Sequence, residues 1–155
     1  MKLDAIDRKI LEILQIDGEQ QVAQIANQVG LSQTPCWRRI QRLKEAGVIT
    51  RNVMLVDPHK VNVGVTVFVS VRTSTHSQAW FEHFKATVQA IPEVVEFYRM
   101  SGDIDYLLRV VVPDIAAYDT VYKRLTADTQ LFDVSSSFAM EEIKFTTALP
   151  LNYAN

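Results

Sequence analysis

The sequence predicts an α+β protein with an N-terminal winged helix-turn-helix domain and a C-terminal ferredoxin-like βαββαβ domain. Three observations support this fold class. Residues 1–50 contain three consecutive segments with apolar residues at helical spacing, and residues 65–155 show strand and helix patterns in the order β-α-β-β-α-β. Between them, residues 51–64 carry Pro58, Asn62 and Gly64, which are typical of a connection. We therefore expect domains at 1–50 and 65–155, joined by a linker strand or hinge at 51–64.

The composition is that of an ordinary folded chain. Of the 155 residues, 48% are hydrophobic and 22% are charged, which argues against disorder. The longest apolar runs are too short to cross a bilayer, and residues 1–4 lack an apolar signal core. The single Cys36 cannot form an internal disulfide, which fits a reducing compartment. We therefore expect a soluble cytoplasmic protein that has no membrane partner.

The first two helices are predicted by cap and terminator signals. Asp4 followed by Asp7 is typical of a helix N-terminus, and the apolar spacing that follows ends at residues 17–18. A second helix is expected from about Gln20 to Val29, where Gly30 provides a left-handed terminator. The expected inward residues are Ile6, Ile10, Ile13 and Leu14 in the first helix and Val22, Ile25, Ala26 and Val29 in the second.

A third helix follows after a sharp turn. Ser32 or Thr34 can cap it, and Pro35 is tolerated in its first turn because the N–H groups there have no intrahelical acceptor. Two helices joined by a short turn with glycine form a helix-turn-helix, whose second helix lies in the major groove of DNA. The inward stripe of this helix is Cys36, Ile40 and Leu43, and the opposite side carries Thr34, Arg38, Gln41, Arg42 and Glu45.

The charge is divided unevenly along the chain. The formal net charge is −2, yet residues 1–51 contain eight Lys/Arg against six Asp/Glu. Residues 32–51 alone contain Arg38, Arg39, Arg42, Lys44 and Arg51 against a single acidic residue, Glu45. A phosphate backbone would meet this basic patch first. The patch therefore favours a nucleic-acid partner despite the overall negative charge.

The second domain is predicted from its alternating patterns. Val48 to Asp57 is rich in strand-forming residues, and the following Pro58-His59-Lys60 ends that pattern. We expect strands over 65–71, 94–100, 106–112 and 134–145, and helices over 77–91 and 114–128. The second of these helices has Ile115, Tyr118, Val121, Tyr122 and Leu125 as its expected buried side.

Both faces of the predicted sheet carry apolar residues. In the ferredoxin-like arrangement two helices cover one face of a four-stranded antiparallel sheet. The first strand also offers Phe68, and the second offers Val95 and Phe97 on opposite faces. An exposed apolar sheet face usually marks an interface, so we expect two such sheets to pair in a symmetric dimer.

Several short motifs follow one another along the whole chain. The N-terminal part contributes Gly30-Leu31-Ser32-x-Thr34-Pro35-Cys36, then Arg39, Arg42-Leu43 and Gly47. Downstream come Ser101-Gly102-Asp103-x-Asp105-Tyr106-Leu107-Leu108 and Met140-Glu141-Glu142-Ile143-Lys144. In this order and spacing the motifs resemble the Lrp/AsnC (feast/famine) family of bacterial transcription regulators. Within that family, the chain is most similar to the DecR-like, cysteine-responsive branch at Pro35-Cys36-Trp37, Tyr98-Arg99-Met100 and residues 136–140.

The resemblance covers essentially the whole chain and has clear functional implications. It implies a DNA-binding domain at 1–50 and an effector-binding and oligomerisation domain at 65–155. It also implies homodimers that assemble to octamers, amino acids as effectors, and a nucleoid-associated protein whose partner is double-stranded DNA.

Residues of the third helix are the candidate DNA contacts. Base edges are read near the N-terminus of a recognition helix, and phosphates are met by flanking basic side chains. Arg39 lies toward one flank and has the alternative role of bracing the first helix. Trp37 either packs under the wing or touches DNA, and the inward Cys36 is a packed side chain or a redox sensor. The predicted DNA-binding residues are Gln33, Thr34, Trp37, Arg38, Arg39, Gln41, Arg42, Lys44 and Arg51.

The turn between the second and third predicted strands is the candidate effector site. An α-amino acid needs acceptors around its ammonium group and donors around its carboxylate. Asp103 or Asp105 can accept, and Gly102 allows close backbone approach. The alternative is an ordinary acidic turn. The predicted effector-binding residues are Met100, Ser101, Gly102, Asp103, Asp105 and, from a neighbouring subunit, Ser135, Ser136 and Ser137.

The sequence indicates neither a cofactor nor a metal site, and we expect no enzymatic activity. His59, His76 and His83 are scattered, and no third ligand has a matching spacing. Glu141 and Glu142 are adjacent in a predicted strand, so they would point to opposite faces. Two alternatives to an effector-responsive regulator are a sirohaem decarboxylase, which resembles this fold, and an effector-independent DNA-architectural protein.

Overall fold

The computed structural model describes residues 2–127 and 131–154, which form two compact units. The first unit comprises Met1–Leu55 together with Lys144–Asn155, and the second comprises Val56–Ile143. The C-terminal segment therefore belongs with the N-terminal helices, whereas the sequence placed it in a 65–155 domain. Within the described ranges no helix is both long and apolar enough to cross a membrane.

The first unit contains the three predicted helices. They are α1 (Ala5–Ile16), α2 (Val22–Val29) and α3 (Gln33–Glu45). The predicted cap of α1 is confirmed, because the Asp4 carboxylate accepts a hydrogen bond from the N–H of Asp7 at 2.8 Å and the Asp7 carboxylate accepts from the N–H of Asp4 at 3.2 Å. Gly30 ends α2 with φ +72°, as predicted. Ser32 occupies the cap position of α3, but its side chain makes no capping hydrogen bond.

The core of the first unit lies where the three helices meet. The predicted inward stripe of α3 is confirmed, since Cys36, Ile40 and Leu43 are all buried. The C-terminal segment joins this unit through α1: Arg8 Nη1 donates to the carbonyl of Ala154 at 2.9 Å. The Gln15 amide donates to the carbonyl of Leu149 and accepts from its N–H. Leu151, in a short 3-10 helix, packs against the same core.

Residues 48–57 do not form the strand that the sequence predicted. They pair with no strand among the described residues, and the apolar side chains at 53–56 are exposed. A strand requires a hydrogen-bonded neighbour, and within the described part of the chain none lies beside this segment. The predicted break is present as a turn over 58–62, where the N–H of Val63 donates to the carbonyl of Pro58 at 2.8 Å.

The second unit has the predicted βαββαβ order. Its elements are β1 (Val65–Arg72), α4 (Gln78–Gln89), β2 (Val94–Arg99), β3 (Tyr106–Val112), α5 (Ile115–Thr126) and β4 (Asp133–Phe138). The strands form one antiparallel sheet in the order β2-β3-β1-β4. The last strand ends at Phe138 rather than at 145, and the predicted end of α5 at 128 lies outside the described residues.

The core of the second unit lies between the two helices and one sheet face. Alternate residues of β1 and β3 face Phe84 and Val88 of α4 and Tyr118, Val121 and Leu125 of α5. The predicted burial of Ile115 and Tyr122 is wrong, because they are 70% and 37% exposed. At 100° per residue both lie at one edge of the buried stripe of α5, where the sheet no longer covers them.

The opposite face of the sheet is partly apolar, as predicted. Phe68 and Tyr98 are exposed on it, beside the Glu96 and Arg109 ion pair. Phe97 instead packs against the core, and Val95 stays exposed at a bulge in β2. The face thus remains available for the predicted pairing of two sheets.

Candidate nucleic-acid interface and ligand site

Helix α3 presents the predicted base-reading residues on its outer side. Gln33, Thr34 and Arg38 are exposed, Trp37 is 50% exposed, and Gln41 is half-buried. Half of the Trp37 surface is therefore open to solvent. Their common position follows from the buried stripe, because core packing on one side of a helix leaves the other side to solvent.

A buried carboxylate fixes α3 to α1. Asp7, whose side chain is only 1% exposed, accepts from Arg39 Nη1 at 2.8 Å and from Arg42 Nη2 at 2.7 Å and 2.9 Å. Arg39 Nη1 also contacts the Asp4 carboxylate at 2.6 Å. We call these four residues the Asp7 cluster. Sequence reasoning missed the second role of Asp7, although an acid preceding Ile10 on the apolar side of a helix is a signal for a buried partner.

The Asp7 cluster changes which arginines are free to meet DNA. Arg39 braces α1, the alternative role that the sequence left open, and Arg42 is ion-paired although its side chain stays 51% exposed. The side chains of Arg38, Lys44 and Arg51 form neither hydrogen bonds nor salt bridges with any described residue. Of the five basic residues in 32–51, two are therefore ion-paired with acids of α1 and its cap, and three have no ionic partner among the described residues.

The electrostatics of the cluster favour its ionised form. The pKa of Asp4 is lowered to about 2, first by the hydrogen bond from the Asp7 N–H and then by the Arg39 guanidinium. The pKa of Arg39 is raised by the two carboxylates that it contacts. Burial raises the pKa of the Cys36 thiol, which favours its role as a packed neutral side chain over that of a redox sensor.

Lys44 and Arg51 lie together beside the C-terminal half of α3. Both line a cleft of about 170 Å³ that also contains Ile49 and Asn52. The Asn52 amide donates to the carbonyl of Gly18 at 3.1 Å, which anchors the segment that carries Arg51 to the end of α1. Two unpaired cations on a fixed surface suit contacts with a phosphate backbone.

The turn between β2 and β3 is held by its own backbone. Gly102 adopts φ +114°, a conformation that favours glycine. The N–H of Met100 donates to the carbonyl of Asp105 at 2.8 Å, and the Asp105 carboxylate accepts from the N–H of Thr73 at 2.8 Å. Asp105 therefore already has a structural partner. The exposed Asp103 carboxylate has none among the described residues, so it is the freer acceptor of the two.

Arg72 is a candidate ligand contact that sequence reasoning missed. Its Nε donates to the backbone carbonyl of Asp103 at 2.7 Å, which places a guanidinium beside the turn. A guanidinium is a suitable donor for a carboxylate. The only available signal was the position of Arg72 at the end of β1, which the sequence alone does not bring next to residues 101–105.

The three predicted serines do not face one site. In β4, Ser136 points to the core and forms a hydrogen bond with the Tyr118 hydroxyl. Ser135 and Ser137 lie on the opposite sheet face, where they pair with Ser70 and Phe68. The expectation of a shared serine contribution is corrected because successive strand residues alternate between faces.

The described ranges also contain no cluster of three possible metal ligands.

Two protein-family models match the chain. The AsnC-type helix-turn-helix domain matches residues 3–44, and the Lrp/AsnC ligand binding domain matches residues 66–149. The glutamate uptake regulatory protein of Zymomonas mobilis is 49% identical over 97% of this chain and 92% of its own length. The DNA-binding transcriptional activator DecR of Escherichia coli is 47% identical over 96% of this chain and 99% of its own length.

Solved structures agree with these matches. An AsnC family transcriptional regulator from Agrobacterium tumefaciens is 64% identical with a TM-score of 0.94, covering 97% of this chain and 99% of its own. A transcriptional regulator from Neisseria meningitidis, solved in complex with L-methionine, is 35% identical with a TM-score of 0.92, covering 97% of this chain and 98% of its own.

Proposed function

Because the chain belongs to the Lrp/AsnC family of transcription regulators, as its sequence motifs predicted, we propose that it is a sequence-specific regulator of amino-acid metabolism. Its partners would be double-stranded DNA and a small amino-acid effector. It would act in the bacterial cytoplasm, associated with the nucleoid, as a homodimer that assembles to an octamer. The relatives and structures named above are regulators, and none of them is described as an enzyme.

The observation that carries the DNA-binding part is the outer side of α3. It combines exposed polar residues at the N-terminal half with unpaired cations, and the Asp7 cluster holds the helix in place. In this proposal Gln33, Thr34, Trp37, Arg38 and Gln41 read bases, and Lys44 and Arg51 contact phosphates. Arg42 can still reach a phosphate with its exposed half, and Arg39 acts by orienting α3.

The DNA-binding test is a mobility shift assay on the upstream region of the protein's own gene, repeated over a series of salt concentrations. Arg38→Gln should cost about 1–3 kcal/mol of discrimination between specific and random DNA. Lys44→Gln should weaken binding to both and reduce the salt slope by about one. Lys123→Gln, in an exposed ion pair on α5, is the matched control. Failure of the unmodified protein to shift any upstream fragment at modest salt would contradict the proposal.

The effector part rests on the turn between β2 and β3. Asp103 supplies an unpaired acceptor for an ammonium group, and Arg72 supplies a donor for a carboxylate, within a turn whose backbone is fixed by Gly102 and Asp105. The named relatives support an amino acid as the ligand class, since one is a glutamate uptake regulator and another was solved with L-methionine.

Cysteine is the first effector to test because of the similarity to the DecR-like branch. A thermal shift screen with cysteine, glutamate, methionine, leucine and asparagine compares the candidates, because a bound ligand raises the melting temperature by mass action. Arg72→Gln and Asp103→Asn should abolish the response to the active amino acid, whereas Lys123→Gln should preserve it. A protein that binds DNA but responds to no amino acid would instead be the effector-independent architectural alternative.

A further inference from the structure

A second cleft lies between α4 and β2, and its lining extends to Arg99 and Tyr106, which flank the β2 to β3 turn. It has a volume of about 390 Å³, within the range of about 300–1,000 Å³ that is usual for small-molecule sites. Helix α4 forms one wall and the edge strand β2 forms the other. None of the residues predicted to bind an amino acid lines it. We call it the α4/β2 cleft.

The floor of the α4/β2 cleft is apolar and aromatic. Phe81 and Tyr106 stack with ring centroids 6.0 Å apart, and Phe97 and Tyr106 lie 5.6 Å apart. Val88 adds aliphatic surface two turns further along α4. Because these side chains also pack into the core of the second unit, the floor is rigid and suits a flat or branched apolar group.

A bulge in β2 helps to shape this cleft. The register between β2 and β3 shifts between Val94 and Glu96, which leaves Val95 without a partner in the ladder. A bulge re-aims the side chain of the extra residue, and Val95 lines the cleft although it remains exposed. The edge strand thus contributes apolar surface at the mouth as well as at the floor.

The charged groups around the cleft are mainly positive. The side chain of Arg99 forms no hydrogen bond or salt bridge with the described residues. The Lys85 ammonium forms one long salt bridge, 3.9 Å from the exposed Glu82 carboxylate. Both carboxylate oxygens of Glu96, the one acidic residue in the lining, already accept hydrogen bonds. Its Oε1 accepts from Arg109 at 2.8 Å, and its Oε2 accepts from the Tyr98 hydroxyl at 3.2 Å. Gln89 adds a neutral amide to the lining. The cleft therefore offers cationic donors for an anion and no free carboxylate for an ammonium group.

From this combination we propose that the α4/β2 cleft binds apolar monocarboxylates that lack a positive charge. The carboxylate lies against Arg99 and Lys85, and the hydrocarbon or aromatic body lies on Phe81, Val88 and Phe97. This ligand class differs from the α-amino acids assigned to the turn, because an α-ammonium would be desolvated beside two cations. The inference therefore goes beyond the proposed regulatory function and does not depend on it.

The experiment compares ligand pairs that differ only by the α-ammonium group. Calorimetry on the full-length protein uses 3-phenylpropanoate against phenylalanine and 4-methylpentanoate against leucine. We expect each acid to bind at least about tenfold more tightly than its amino acid at this site. Competition with the amino acid that proves active in the thermal shift screen should leave the affinity for the acid unchanged.

Charge variants locate the binding to the cleft. Arg99→Gln should weaken binding of both acids at least about tenfold, since a charge-assisted hydrogen bond accounts for about that factor. Lys123→Gln, on an exposed face outside the cleft, should bind as the unmodified protein does. Circular dichroism and melting temperature confirm that each variant is folded, which is expected because Arg99 is exposed.

Three results would overturn the proposal: no binding of either acid at millimolar concentration, equal affinity for acid and amino acid, or unchanged binding by Arg99→Gln. A mobility shift assay on the same preparations separates this failure from a failure of the proposed function. DNA binding with no acid binding would reject the cleft alone, whereas acid binding without any DNA shift would reject only the regulatory proposal.

Discussion

Replacing Asp7 by asparagine tests whether the Asp7 cluster positions the recognition helix. The change keeps the shape of the side chain and removes the charge that faces Arg39 and Arg42. Removing one partner of a buried ion pair costs about 3–5 kcal/mol when the remaining charge stays buried. Here the two arginine side chains are 26% and 51% exposed, so they can recover some hydration. We therefore expect the free energy of unfolding of the first unit to fall by about 1.5–3 kcal/mol, the range of a hydrogen bond to a charged group.

Tryptophan fluorescence can follow the first unit separately during urea unfolding. The chain has two tryptophans, Trp37 in α3 and Trp80 in α4, so a Trp80→Phe background leaves a reporter in the recognition helix. Glu12→Gln is the matched control on the exposed side of α1 and should change stability by no more than about 0.5 kcal/mol. A loss below about 0.5 kcal/mol for Asp7→Asn would refute the assigned role of the cluster.

The effect of Asp7→Asn on DNA binding separates positioning from simple electrostatics. Removing a negative charge next to a basic surface should raise affinity for any DNA, because phosphates are then repelled less. If Asp7 instead orients α3, affinity for the specific site should fall while affinity for random DNA is kept or raised. Mobility shifts with specific and random fragments at one salt concentration measure both. A parallel rise on both fragments would show that the orientation of α3 does not depend on Asp7.

Three further predictions, on pH dependence, the β2 to β3 turn and thiol reactivity, test the remaining assignments. Since the pKa of Asp4 is about 2 in the folded chain against 3.8 for an ordinary aspartate, its ionised form contributes stability above about pH 3.8 that is lost as the pH falls toward 2. The stability difference between the unmodified protein and Asp4→Asn should shrink over that interval in urea titrations, and a constant difference would contradict the charge assignment. Asp105→Ala should lose about 1–3 kcal/mol in thermal unfolding because the N–H of the buried Thr73 loses its acceptor, whereas Asp103→Asn should keep its stability and lose the effector response. The fully buried Cys36 should react with a thiol reagent only at the rate of unfolding of the first unit, and rapid modification of the folded protein would restore the redox-sensor alternative.

Helices and strands whose apolar residues recur at a regular spacing were predictable from the sequence. The three N-terminal helices, the βαββαβ order and the inward stripe of α3 each follow from local apolar spacing, which depends on neighbours within one or two turns. The predicted strand at 48–57 was wrong for a physical reason, because its strand-forming residues have no adjacent strand within the described chain. The strand propensity of a residue describes how well its side chain fits the surface of an existing sheet. It does not tell whether a neighbouring strand is present to pair with the segment.

The candidate site was less predictable because it depends on contacts between distant residues. The turn at 101–105 was identified from its composition, but the partner of Asp105 is Thr73, and Arg72 enters the same turn from the end of β1. The alternation of β4 was available from the sequence and would have separated Ser136 from its two neighbours. What the sequence could not provide is the register that brings each strand end to the others.

The same limit explains why a charge count alone overstates the DNA-binding surface. Two of the five basic residues in 32–51 are held by acids that lie about 30 residues earlier, so the pairing is invisible to a local window. Arg38 and Arg39 are adjacent and chemically identical, yet only Arg39 has the carboxylates of Asp4 and Asp7 within reach. The Arg38 guanidinium therefore has no ionic partner among the described residues of the unit, whereas the Arg39 guanidinium is held against α1. A count of basic residues treats the two alike, and only the pairing across α1 and α3 separates them.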